Sequence, residues 1–290
     1  MMKTPEIFDN AQFVRQRQRA ASGFSSADFL KQIAVDRLAD RLDLMRRDFQ
    51  TLLDIGSHGG YVAQALAGHD KLSKIISADP APAFVERAAS YGPSVEMRPE
   101  IVPDEVAQVD AIVSLLYLHQ VNDLPGFIKQ MANKLRPDGL FFAVLFGGRT
   151  LQELRACLSA AEEDILGGIS PHVAPMADIR DVGGLLGRAG LALPVADSEL
   201  LTVTYSSAFA LMRELRAMGE GNCLIGRRQS FSRRDVFLRA AAIYQERYGR
   251  EDGTISASFE LIHLTAWSPD DSQQKPLRPG SAKVSLTEVL

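Results

Sequence analysis

The sequence predicts an α/β fold, a mostly parallel sheet covered by helices on both faces. Three observations carry this. Strand-like and helix-like stretches alternate from residue 51 to residue 146. The strand-like runs are apolar throughout, LFFAVLF at 140–146 being the longest, as expected of strands buried on both faces. A glycine cluster in LLDIGSHGGYVAQAL, Leu52 to Leu66, lies at the first strand-to-helix junction, where an open parallel sheet places its ligand.

The elements follow in order. Residues 10–21 read as a helix carrying Arg15, Arg17 and Arg19. Residues 26–47 read as a second helix, with Ser26 as cap and Phe29, Ile33, Leu38 and Leu42 near helical spacing. Strands are expected at 51–55, 74–79, 94–98, 109–118 and 140–146. Between them lie helices from Tyr61 to Gly68, over 81–92, and over 123–139, the last stopped by Pro137 and Gly139. Helices at 150–166 and 177–189 flank the loop GGISPHVAP. One or two strands fit 192–204, helices fit 207–218 and 232–248, and FELIHLTAW (259–267) is a late strand. The organisation expected is N-terminal helices or lid over 1–48, a main domain over 49–267 with a helical cap inserted at about 205–257, and an extended tail over 268–290.

With 46% hydrophobic and 23% charged residues, the chain reads as globular. A net charge of -4 gives no basic footprint for nucleic acid. No apolar run approaches the ~18 residues of a membrane span, and the start lacks the apolar core of a signal peptide. Two cysteines, Cys157 and Cys223, make no disulfide framework and no cysteine-rich zinc site. A cytoplasmic, reducing location is therefore expected.

The glycine turn discriminates between cofactors. A nicotinamide fingerprint counted from Gly56 needs glycine at 58 and 61, where this chain has His58 and Tyr61. The pattern D-x-G-x-G-x-G resembles the first motif of class I S-adenosylmethionine-dependent methyltransferases. Asp54, Gly56 and Gly60 match it, and His58 departs. A carboxylate at Asp54 suits a cofactor whose methionine end carries an ammonium and a sulfonium. Asp79, ending the next strand, suits two ribose hydroxyls. Ser57, His58 itself, Pro80, Leu115 and Leu116 complete the expected cofactor-binding set.

Several stretches resemble the methyltransferase-like assembly factors of respiratory complex I. They are 114–155, SPHVAP (170–175), DVGGLLGRAG (181–190), MGEGNC (218–223), AAAIYQERYGREDGTI (240–255) and SQQKPLRPGSAKVS (272–285). More distantly, the chain is similar to the malonyl-carrier-protein methyltransferases of biotin synthesis. The resemblance implies a Rossmann-like class I methyltransferase fold with a mostly parallel seven-stranded sheet, and S-adenosyl-L-methionine as cofactor. It also implies a protein substrate or assembly partner, an arginine on an iron–sulfur subunit of complex I being the modified group and hydroxylation the described outcome. The family usually has glycine where this chain has His58, and often an aromatic where it has Gln120.

Methyl transfer needs alignment more than it needs an acid or base. His119 follows the fourth strand at the carboxyl edge, as a base or substrate-orienting group. His172, in a proline-flanked loop, and Tyr205, at the cap, are further catalytic candidates, with Glu220 and Asn222 as polar neighbours. His119, His172 and His263 show no ligand spacing, so no built-in metal is expected. The arginines at 213, 216, 227, 228, 233, 234 and 239 read as a solvated helix face or as a dock for an acidic partner.

Overall fold

The computed structural model describes residues 6–230 and 233–274. The end of the expected tail, 275–290, lies outside them. The elements are α1 (Asn10–Ala20), α2 (Phe29–Leu44), β1 (Phe49–Ile55), α3 (Tyr61–Ala65), β2 (Leu72–Asp79), α4 (Pro82–Ala88), β3 (Ser94–Glu96) and β4 (Val109–Leu115). They continue as α5 (Leu124–Lys134), β5 (Leu135–Phe146), α6 (Gln152–Leu166), α7 (Ile179–Arg188), β6 (Ala192–Tyr205), α8 (Ala208–Ala217), α9 (Arg234–Tyr248) and β7 (Ile255–Trp267).

Among the described residues the strands form one seven-stranded sheet in the order β3-β2-β1-β4-β5-β7-β6, with β7 alone running against the rest. β1 lies between β2 and β4, its Asp54 aligned with Ser77 on one side and Val113 on the other. The strand order reverses direction there, so the crevice beyond the ends of β1, β2 and β4 is the switch point.

The apolar runs have a simple cause. On β1, Leu52 faces one core and Leu53 the other; Val113 and Ile112 of β4, and Phe142 and Phe141 of β5, divide in the same way. The first core is closed by α2, α6 and α9 through Leu38, Cys157 and Ile243, the second by α5 and α7 through Phe127 and Leu186. The segment between β6 and β7 holds α8 and α9, which pack on the first core through Leu211 and Ile243.

Several boundaries differ from the sequence reading, each because tertiary pairing decides them. The helix expected to run to Gly139 ends at Lys134. Residues from Leu135 already pair with β4, across a register shift between Val109 and Ala111. Pro137 therefore sits in an irregular strand opening where a missing N–H is tolerated. β7 starts at Ile255 rather than 259 because its first residues extend the ladder with β6 as far as Tyr205. In α2 the buried stripe is Leu30, Lys31, Ala34, Val35, Leu38 and Leu42, so Phe29 and Ile33 are only partly covered.

Gly56 has φ +74°, and a Cβ there would lie 2.4 Å from the Tyr117 ring. Gly68 has φ +77° but open space around it. Gly68→Ala should cost only left-handed strain, about 1–2 kcal/mol. Gly56→Ala should add overpacking of about 1–3 kcal/mol. Urea midpoints for the pair check this, and equal losses would mean that Tyr117 does not rest on the turn.

Candidate functional site

β1 delivers Asp54 and β2 delivers Asp79, both with no solvent exposure, to the carboxyl edge of the sheet. The turn between β1 and α3 has the backbone of a glycine loop. Gly56, Gly59 and Gly60 all have positive φ, and so does His58 at 52°. His58 thus keeps the left-handed conformation of the glycine it stands in for and places an imidazole in the crevice. Pro80 is buried behind Asp79. At the end of β4, Leu116 is also left-handed, φ 56°, and its N–H donates to the Val144 carbonyl at 2.7 Å.

The crevice is filled by the chain's own side chains. Arg17, from α1, is 2% exposed. Its Nη2 donates to Asp79 Oδ2 at 2.5 Å and its Nε to Oδ1 at 3.3 Å. Asp79 also accepts from the His58 N–H at 3.0 Å and the Ala81 N–H at 3.0 Å. Four donors match the lone-pair sites of a carboxylate. The Arg17 guanidinium lies 5.3–5.4 Å from the ring centres of Phe13, Phe84 and Tyr117, and desolvated cation–π contacts of this kind are attractive. Arg17 Nη1 donates to His58 Nε2 at 2.7 Å, while His58 Nδ1 meets the Gly56 carbonyl at 2.8 Å. Those partners assign His58 as the neutral Nδ1–H tautomer. Burial, with Arg17 and Lys31 nearby, holds its pKa well below 6.5. Phe24 stacks on the imidazole at 4.9 Å.

The other acid is in a different state. Among the described residues, neither oxygen of Asp54 has a hydrogen-bond partner, nor has the buried Ser57 hydroxyl. Burial raises the Asp54 pKa, partly opposed by the nearby Lys31 ammonium. Lys31 is itself buried and its pKa is lowered by that burial. Its Nζ donates to the carbonyls of Gly56 at 3.2 Å and Leu115 at 3.0 Å, bracing the ends of β1 and β4.

S-adenosylmethionine is the group the turn suggests, and the site meets its needs only in part. The free carboxylate of Asp54 suits the cationic methionine end. Asp79 has no lone pair left for ribose hydroxyls, and His58, Phe24 and Tyr117 occupy the space above the turn. In this arrangement the residues do not accommodate the cofactor.

Beyond α1 lies a cavity of about 750 Å³ whose lining includes Gln16, Phe146, Leu154, His172, Arg216 and Glu220. Asp54, His58 and Asp79 do not line it. His119 is buried behind it, its ring 4.6 Å from that of Phe146, and its Nε2 donates to Glu220 Oε2 at 3.0 Å. Gln120 Nε2 donates to the same oxygen. His172 pairs with Glu162 at 3.0 Å. Tyr205 does not reach the cavity. It is packed in the core at the start of the cap, where burial and the Glu214 carboxylate raise its pKa. The structure therefore brings together His119, Gln120 and Glu220, sets His172 on another wall, and leaves Tyr205 apart.

The arginines of 205–240 do not form one patch. Arg213 and Arg216 line the cavity, whereas Arg227, Arg233 and Arg239 pair with Asp9, Asp235 and Asp164. His119, His172 and His263 each turn to a different carboxylate, and no group of three metal-ligating side chains converges among the described residues.

Lys31 escaped the sequence reading, although a signal exists. Lys31, Ala34 and Leu38 fall on one stripe of α2, all buried. Arg17 reads in the sequence only as one of three arginines that either close over a methionine carboxylate or coat the N-terminal helix; its pairing with Asp79, 62 residues away, leaves no local signal.

The fold and the acid pair on neighbouring strand ends define a methyltransferase domain. That family matches residues 16–193, and the chain belongs to it. Among curated relatives, the mitochondrial arginine-hydroxylase NDUFAF5 of Mus musculus is 41% identical over 265 residues, 90% of this chain and 77% of the relative. The Homo sapiens protein of the same name is 38% identical over 99% of this chain and 84% of its own. A malonyl-[acyl-carrier protein] O-methyltransferase of Methylovorus is 30% identical over 91% of this chain and 90% of its own. Among solved structures, the YcgJ protein of Bacillus subtilis has the same fold, with TM-score 0.53, 15% identity, and coverage of 80% of this chain and 98% of its own.

A neutral, buried His58 has a pH signature. Below pH 6.5 the unfolded chain binds a proton at this residue and the folded chain does not. Stability therefore falls as pH drops below 6.5, by about 1.4 kcal/mol per pH unit from His58. His58→Gln should flatten this acid limb in denaturant melts between pH 7 and pH 5. Identical limbs would show that His58 takes up its proton freely in the folded state.

Proposed function

We propose that this chain binds S-adenosylmethionine at the carboxyl edge of its sheet and modifies an arginine of a protein partner. The partner on this reading is an iron–sulfur subunit met during assembly of respiratory complex I. The relatives named arginine-hydroxylases, similar across the cap as well as the sheet, support that role. A cytoplasmic location belongs to the same proposal, in keeping with the two unpaired cysteines, Cys157 and Cys223.

The observation that carries the arginine reading is Glu220. It lines the cavity, and among the described residues both of its side-chain hydrogen bonds, from His119 and Gln120, fall on Oε2. Oε1 keeps its lone pairs for a ligand. A guanidinium seated there would gain a charge-assisted hydrogen bond, with Phe146, Leu154 and Phe259 flanking its alkyl stem. His119 and Gln120 act by fixing the carboxylate. His172, held by Glu162, belongs to the opposite wall.

A second reading has its own observation. Arg19, Arg213 and Arg216 also line the cavity. They favour an acidic acceptor, as a carrier-linked carboxylate would be, and a relative named malonyl-[acyl-carrier protein] O-methyltransferase supports that class. A third reading, a non-catalytic assembly chaperone, is favoured by the filled crevice.

Deleting the gene separates these readings. The arginine reading expects loss of complex I assembly and of the arginine modification, seen by mass spectrometry, with growth independent of biotin. Glu220→Gln should fail to restore the modification, the loss of a charged hydrogen-bond partner costing about 1.5–3 kcal/mol, or roughly 10- to 100-fold. Biotin dependence with intact complex I would select the carrier-linked reading. Lost assembly with an unmodified arginine in the parent strain would select the chaperone.

A further inference from the structure

The crevice and the cavity share one wall, and that wall is tied down at both ends. On its inner side α1 sends Arg17 into Asp79. On its outer side the same segment is bonded to the cap loop that follows α8. Phe8 and Leu224 form an antiparallel bridge. The Asp9 N–H donates to the Cys223 carbonyl at 2.8 Å, and the Ile225 N–H to the Ile7 carbonyl at 2.9 Å. Gln16 Nε2 donates to the Asn222 carbonyl at 3.0 Å, and Arg227 pairs with Asp9 at 2.9 Å. Two glycines permit this closeness. A Cβ at Gly221 would lie 2.8 Å from Gln16, and one at Gly219 would lie 3.3 Å from Ala20. Asn222 continues the chain of contacts to the His172 loop by donating to the Pro171 carbonyl at 2.7 Å.

We propose that Arg17 is an internal competitor for the cofactor's ribose carboxylate, and that α1 and the loop 219–227 form one plug that withdraws together when S-adenosylmethionine enters. The proposal rests on the cofactor reading given above. Its core is stoichiometric. Asp79 already accepts four hydrogen bonds, two of them from Arg17. A pair of ribose hydroxyls reaches Asp79 only by replacing the guanidinium. The three rings around Arg17 and the Nη1 bond to His58 hold the occupant in place. His58 is part of the device, since its imidazole supplies the acceptor that a glycine lacks. Because Gln16 and Asp9 carry the cap loop with them, withdrawal of α1 also opens the 750 Å³ cavity. Cofactor entry and acceptor access are then one movement.

The test uses the full chain and S-adenosylmethionine itself. Calorimetry compares wild type, Arg17→Gln, Arg17→Gln with His58→Gly, and Asp79→Asn, each checked for folding by circular dichroism. Arg17→Gln should bind at least ten-fold tighter than wild type, the double variant at least as tightly, and Asp79→Asn at least ten-fold more weakly than Arg17→Gln. Arg17→Lys, which keeps a cation but not the two-pronged contact, replaces Arg17→Gln if that variant does not fold, and should also bind tighter than wild type. Equal or weaker binding by Arg17→Gln overturns the competition while leaving the cofactor reading standing. No binding by any variant overturns the cofactor reading and the competition with it. Hydrogen exchange tests the plug: saturating S-adenosylmethionine should speed exchange in residues 10–20 and 219–225 of wild type together. Unchanged protection, or a change in only one segment, overturns the joint withdrawal.

Discussion

The structure around this site depends on how the Asp79 carboxylate is compensated. It ends β2 with no solvent exposure, and a buried carboxylate without a cation or a full set of donors is costly. The parallel sheet fixes its position, so the donors must come to it. One is the N–H of Ala81 and another the N–H of His58, which reaches Asp79 because the turn keeps a left-handed backbone. The remaining donors are on Arg17, and bringing them in requires α1 to lie across the crevice. From that follow the orientation of His58, the stacking of Phe24 upon it and the rings gathered around the guanidinium. Removing one member of such a buried pair costs about 3–5 kcal/mol, so the N-terminal helix is held by electrostatics as well as by packing.

Asp54 shows what the same crevice does with an acid that lacks such a partner. Lys31 is close enough to affect its titration but spends its hydrogen bonds on the carbonyls of Gly56 and Leu115. The two Asp54 oxygens are left unpaired. Two carboxylates on adjacent strands therefore differ in kind: one is satisfied internally, the other keeps an unmet demand for positive charge. A cationic ligand would relieve that demand. The crevice is satisfied at Asp79 and unsatisfied at Asp54.

The layout was legible in the sequence wherever one periodicity governs. Strands buried on both faces announce themselves as apolar runs, and the acid, glycines and second acid fall at strand ends because βαβ units put them there. His58 was legible as an exception to the motif. Its consequence was not, since the sequence does not say that Arg17 and Phe24 would fill the space around it. Lys31 was half legible: its place on the stripe with Ala34 and Leu38 marks it as buried, but its acceptors lie on two strand ends. The opening of β5 was hidden because Pro137 and Gly139 read locally as a helix stop, while pairing with β4 decides the outcome. Tyr205 read as a cap residue by position. Its neighbours in the core, Ile255 and Tyr244, come from later in the chain.

The arrangement also constrains how the two spaces relate. Gln12, Gln16 and Arg19 of α1 line the cavity, while Arg17 of the same helix is buried in the crevice. A helix is stiff over eleven residues, and its neighbouring side chains point in fixed directions around the axis. Moving the backbone at Arg17 away from Asp79 without disturbing Gln16 would require α1 to unwind. Holding Gln16 on the Asn222 carbonyl while Arg17 leaves would require the cap loop to follow. In either case the cavity wall changes when the crevice does. Crevice and cavity are coupled through the stiffness of α1, because the residue that neutralises Asp79 and the residues that shape the acceptor space share one short helix.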